Sequence, residues 1–233
     1  MTERNRASLK NNFLKGTVPK EKDFHDLIDS SVNKLDDGLR KEPGSSIGIT
    51  AESSNSEILR FFKNIEDLEP KWNFSLRSSD GKEGLNIKNS EGESNLFIEQ
   101  QGNVGIGTES PRNKLHVDGF VGMTGRIGYY AYGEVAADGN WHEIISNLNH
   151  YNAFEIIMVT GRKGAHAITH AIAVSSYGNS RPKVTKTQGF FGRSRNKIDV
   201  KWSGNYFDYG LQIRTKRNLG EGVFINFYVT KLI

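Results

Sequence analysis

Residues 102–119 read GNVGIGTESPRNKLHVDG. Val104, Ile106, Leu115 and Val117 alternate with small or polar residues, the period-2 pattern of a strand. Gly105 and Gly107 remove side chains where backbones must come close. The stretch is too poor in apolar residues to carry a core of its own. It makes most sense if several chains wind together and bury one another's apolar positions. Gly105 and Gly107 do not form a phosphate-binding loop. The third glycine and the following helix are missing, and Pro111 blocks a smooth helical start.

The pattern extends upstream. Trp72, Phe74 and Leu76 alternate with Asn73, Ser75 and Arg77, and Leu85/Ile87 and Leu96/Ile98 repeat the alternation. Turn signals at Ser79-Asp80-Gly81 and Glu91-Gly92 separate these short strands. Hairpins this short are unstable singly, which again favours intertwined chains.

Residues 70–120 resemble the junction of tail-fibre-like proteins, with the signature GNVGIGT-x-x-P-x-x-K-L-x-V-x-G. The signature is matched by Gly102 to Thr108, Pro111, Lys114, Leu115, Val117 and Gly119. Gly84-Leu85-Asn86-Ile87 and Ser94-Asn95-Leu96-Phe97-Ile98 look like the segment that precedes it. The family comprises phage tail fibres, fibres of contractile injection systems and related bacterial trimeric surface fibres. The resemblance implies a homotrimeric fibre whose shaft presents a C-terminal recognition domain. It does not name the ligand.

Toward the N-terminus the spacing predicts one helix over Thr17–Leu39. Phe24, Leu27, Ile28, Val32 and Leu35 fall at intervals of three and four. Pro19 is expected in its first turn, acidic residues follow, and Gly38 is the expected stop. A single helix of this length is marginal alone. Its apolar stripe needs a partner, for which the simplest candidate is its own copy in a trimer.

Residues 127–233 are richer in aromatics and hold about eight strand-like runs. Ile198/Val200/Trp202, Tyr209/Leu211/Ile213 and Val223/Ile225/Phe227/Val229 show the alternation most plainly. Regular short strands punctuated by glycine turns predict an antiparallel β-sandwich. The fold expectation is therefore mainly β. It has an N-terminal attachment segment with a short helix (1–43), a glycine-rich intertwined β shaft (44–126) and a sandwich tip (127–233).

Composition narrows the function classes. The 233 residues carry 36% hydrophobic residues and 25 glycines. No apolar run approaches the ~18 residues of a membrane span, and residues 1–12 lack the apolar centre of a signal peptide. The expected location is extracellular or on a particle surface, without a recognisable signal peptide. With no cysteine, disulfides and thiolate metal sites are excluded. The net charge of +4 is unevenly placed: residues 127–233 carry 13 Lys and Arg against 7 Asp and Glu. That balance suits an acidic partner.

His166 and His170 are four apart, but the alternation around them is that of a strand, and Ala167 stands where a zinc-protease motif requires Glu. No metal or cofactor is expected. No nucleophile elbow appears. The one carboxylate pair worth weighing for glycoside cleavage is Asp199 with Asp208. Charge plus aromatics alone would admit nucleic acid, but no recognition motif supports it. Aromatics with polar edges beside turns suit sugar rings better. Trp141, Arg195, Tyr206 and Phe207 are the candidate ligand contacts. The expected function is a homotrimeric fibre or adhesin that binds a cell-surface glycan and attaches to a larger particle through its N-terminus. The alternatives are a polysaccharide-cleaving fibre tip and a ligand-free trimerisation cap.

Overall fold

In the computed structural model, which describes residues 4–33, 36–51 and 56–233, the chain divides into two compact units, Met1–Gly122 and Met123–Ile233. It is mainly β, with two short helices and several sheets.

The first unit opens with α1 (Arg6–Asn12) and α2 (Glu21–Asp29), where the sequence predicted one helix over 17–39. The Lys20 N–H donates to the Asp23 carboxylate at 2.8 Å and so fixes the start of α2, leaving Pro19 outside it. The helix stops early because the Ser30 and Ser31 hydroxyls donate back to the Asp26 and Leu27 carbonyls. Such local bonds compete with helix continuation. Part of the stripe finds its partner in the same chain: Phe24 packs edge-on against Phe13 at 5.6 Å. Leu27, Ile28 and Val32 stay exposed, and Leu35 lies outside the described residues. A two-stranded ladder, β1 (Leu39–Arg40) with β2 (Gly48–Ile49), follows.

The rest of the unit is a six-stranded sheet. It runs in sequence order through β3 (Glu57–Phe61), β4 (Trp72–Arg77), β5 (Glu83–Asn89), β6 (Ser94–Glu99), β7 (Val104–Ile106) and β8 (Leu115–Val117). Register decides what each face shows, because residues directly opposite share a face. One row crosses all six strands as Leu59, Phe74, Ile87, Leu96, Ile106 and Val117. Its neighbours two residues away include Phe61, Trp72, Leu76, Leu85, Ile98, Val104 and Leu115, so this face is apolar except at Asn89, opposite Trp72. Phe61, Trp72, Leu76, Ile98, Ile106 and Leu115 are 38–61% exposed.

The other face is polar and covered. Its central row runs Ser75, Asn86, Phe97, Gly105 and His116. Phe97 is the unit's one fully buried apolar side chain among the described residues. The loop 107–114 lies over this face and joins β7 to β8, which are parallel. Parallel neighbours ordinarily need a crossover of a dozen or more residues. The short connection is possible because of the two glycines. A Cβ on Gly105 would lie 2.1 Å from the Thr108 carbonyl oxygen, and Gly107 turns the chain at φ +72°. The close approach expected at these glycines is therefore present, but it is made by the chain's own loop. Glu109 clamps the loop down. It accepts from the Ser79 N–H at 2.6 Å and from Asn86 Nδ2 at 2.6 Å, and Lys88 lies 3.3 Å away. Burial would raise the Glu109 pKa, but the bonds from Ser79, Asn86 and Lys88 outweigh it and hold the carboxyl below its ordinary value.

The second unit is a sandwich of two antiparallel sheets. The larger has the order β13 (Lys183–Phe191), β12 (Ala165–Ser175), β11 (Asn152–Arg162), β16 (Phe224–Lys231), β9 (Ala131–Ala136). The smaller has the order β10 (His142–Leu148), β15 (Tyr209–Thr215), β14 (Ile198–Gly204). Phe154, Ile156 and Met158 of β11 meet Leu211 and Ile213 of β15 and Ile198 of β14 in one core. The small-residue face of β12 (Ala165, Ala167, Ala171, Ala173) is buried in that core. It admits the second sheet of the same chain. His166 and His170 lie on the exposed side of β12. The outer face of the larger sheet exposes Tyr132, Ile168, Val174 and Tyr228.

Candidate functional site

Loops gather at the two ends of the sandwich. The near end is where the chain leads into β9, with the Tyr130 N–H donating to the Val229 carbonyl. There the β14–β15 turn carries Tyr206 and Phe207, which are 57% and 73% exposed. Gly204, at φ +99°, and the bond from Asn205 N–H to the Asp208 carbonyl shape this turn. The Phe207 ring meets Tyr177 edge-on at 5.9 Å, and Tyr177 meets Tyr151 at 6.1 Å and His150 at 5.7 Å. The loops are tied together from below. Tyr209 Oη donates to the His150 carbonyl and accepts from the buried Asn152 side chain at 2.8 Å. Beside this cluster is a cleft of about 380 Å³, bordered by Tyr151, Ser176, Ser180, Arg181 and Lys183.

Trp141 and Arg195 are elsewhere. Trp141 precedes β10 and is half-buried, with Lys201 Nζ and Arg214 Cζ each 4.4 Å from its ring centroid. The two cations on one indole hold it in place by cation–π attraction. Arg195 is exposed on a single 3₁₀ turn (Ser194–Asn196) between β13 and β14. This is the far end, since Arg195 precedes β14 while Tyr206 and Phe207 follow it. Seven residues of strand separate the two sets by about 20 Å. The four candidates therefore form two groups: Tyr206 with Phe207 at the near end, and Trp141 and Arg195 toward the far end.

The same register separates Asp199, second residue of β14, from Asp208, beyond its end. The gap of about 17 Å along the strand exceeds the roughly 5–9.5 Å that paired glycosidase carboxylates need. Asp199 is occupied as the centre of an ion-pair group, with Lys186 at 2.5 Å and Arg214 and Lys216 at 3.9 Å. Among the described residues no group of three His, Asp or Glu could hold a metal ion, and no helix is long and apolar enough to cross a membrane.

Asp138, in the β9–β10 loop, has its pKa lowered to about 2 from the ordinary 3.8. The cause is first the hydrogen bond from His142 at 2.8 Å, opposed by burial and reinforced by the Asn140 N–H and side-chain amide. A depressed carboxyl stabilises the fold above its unfolded pKa and loses that contribution as pH falls through the folded value. Asp138→Asn should therefore lower stability at pH 5. The difference from wild type should shrink between about pH 4 and pH 2. Urea unfolding of both proteins across that range checks this, and a pH-independent difference would contradict it.

The sequence did not single out His150, Tyr151, Arg214 or Arg217. Each is an ordinary residue at the end of a strand-like run, and only the topology places it beside its partners. No protein-family model and no curated protein matches this chain.

Proposed function

We propose that the chain is a homotrimeric fibre or adhesin subunit that binds a cell-surface glycan through its sandwich. The observation that carries the trimer is the apolar face of the six-stranded sheet in the first unit, on which Phe61, Trp72, Leu76, Ile98, Ile106 and Leu115 are exposed. Contiguous apolar surface of this kind ordinarily marks an association site, and copies of the same chain carry the complementary surface. The junction signature in β7 and β8 agrees with a fibre. In this reading the helical N-terminal segment attaches the fibre to a larger particle, so that the protein works outside a cell or on a particle surface.

Glycan binding is supported by the sandwich loops. Tyr177 and Tyr151 offer ring faces with polar edges, Tyr206 and Phe207 are open to solvent, and loops tied to Tyr209 hold the near-end cluster in place. Stacking on pre-positioned rings costs little conformational entropy. The test is a glycan array with the full-length protein, followed by incubation with a bound polysaccharide. Retention with no change in polysaccharide size is expected. A blank array over all glycan classes would leave a ligand-free trimerisation cap, and shortening of the polysaccharide would mean a cleaving tip.

A further inference from the structure

The sandwich is electrically lopsided along its strands. The far-end loops 137–141, 163–164, 192–197 and 216–223 hold six Lys and Arg against two carboxylates. The near-end loops 149–151, 176–182 and 205–208 hold one of each, Arg181 and Asp208. One of the two far-end carboxylates, Asp138, is already committed to His142 and Asn140.

These loops converge. Leu219 N–H donates to the Ala137 carbonyl, joining the β15–β16 loop to the β9–β10 loop. Arg217 Nε donates to the Asn196 side-chain oxygen at 2.9 Å, joining it to the β13–β14 loop. A Cβ on Gly192 would come within 2.6 Å of the Gly164 carbonyl oxygen, which brings in the β11–β12 loop. Asn196 is fully buried and its amide also donates to the Phe191 carbonyl at 2.7 Å. The turn that displays Arg193 and Arg195 is thus pinned from below while both arginines face solvent. Lys197 lies 4.7 Å over the Phe190 ring, an apolar face beside the charges that is itself 43% exposed.

We infer that the far end of the sandwich is a binding site for an acidic polysaccharide, with Arg193 and Arg195 as its principal charge contacts and Phe190 as a stacking face. This rests on the glycan-binding reading above and adds, at the end of the sandwich opposite its aromatic cluster, a contact region for a charged chain. Guanidinium groups on a fixed turn suit the carboxylates or sulfates of such a chain, because their planar donors match these acceptors in pairs. Fixing the turn in advance spares ordering cost on binding.

The experiment uses the full-length protein and three immobilised probes: alginate as a polyuronate, heparin as a sulfated chain and dextran as a neutral one. A duplex DNA of matched charge is the fourth. Expected is retention on alginate or heparin that weakens with rising salt, with dextran and DNA bound at least tenfold more weakly. Arg193→Glu with Arg195→Glu should reduce retention on the acidic chain by at least tenfold, with the thermal melting curve unchanged. Arg162→Glu with Lys163→Glu, where β11 turns into β12 at the same end, should reduce it severalfold. Full retention in both charge-reversed proteins would overturn the inference, as would tighter binding to DNA than to either acidic polysaccharide. Binding to dextran alone would overturn the inference while leaving the glycan reading in place. A failure to bind any glycan, here and on the array, would remove the glycan reading itself.

Discussion

Ile98→Asp should break the assembly of the first unit while leaving a single chain folded. Ile98 is on β6 in the apolar face and is 38% exposed in one chain, so a carboxylate there is tolerable before association. Once copies meet, the same position is enclosed. The loss combines about 1.5–3 kcal/mol of apolar burial with the cost of desolvating an unpaired charge. An association constant at least about a hundredfold weaker follows. Sedimentation of wild type and variant at equal concentration measures it, with circular dichroism as the check that the sheet survives. An unchanged mass would mean that this face does not join copies.

The second large effect is expected from Gly105→Val, and its origin is inside one chain. The new Cβ alone would sit 2.1 Å from the Thr108 carbonyl oxygen, closer than any real contact. The crossover loop must lift, and Glu109 must give up bonds to Ser79 and Asn86 as it does. Overpacking of this kind typically costs about 1–3 kcal/mol, and the buried Asn86 amide is left with only its 3.3 Å bond to the Arg77 carbonyl, which adds to the loss. Thermal unfolding should show a drop well beyond that of Gly125→Ala, where nothing lies within 4 Å of the added carbon. Equal melting temperatures for the two variants would show that the loop is not held as described.

Periodicity made most of the strands legible. Alternation at Trp72–Leu76, Ile198–Trp202 and Val223–Val229 marked real strands, the last starting one residue later at Phe224, because their inner and outer residues differ in chemistry. The helix was misjudged because a stripe at spacing three and four does not reveal where serine hydroxyls will intercept the backbone. α1 escaped notice since Arg6–Asn12 has only Leu9 to mark a period. Gly105 was recognisable as a point of close approach, but not the identity of the approaching backbone. That is a fact of tertiary structure, set by a short parallel crossover that no local pattern encodes. The candidate contacts suffered similarly. Tyr206 and Phe207 were expected to be exposed beside a turn, as they are. Arg195 is only a few residues away in sequence, yet one intervening strand sends it to the opposite end. The convergence of Asp138, Arg162, Arg195 and Arg217 joins loops roughly twenty to thirty residues apart, which only the strand order brings together.

The central claim is that three copies of this chain bury one another's apolar faces. Light scattering coupled to size-exclusion chromatography on the full-length protein tests it most directly. The expected molar mass is about three times the 26.1 kDa of one chain. A monodisperse species of 26.1 kDa at micromolar concentration would contradict it.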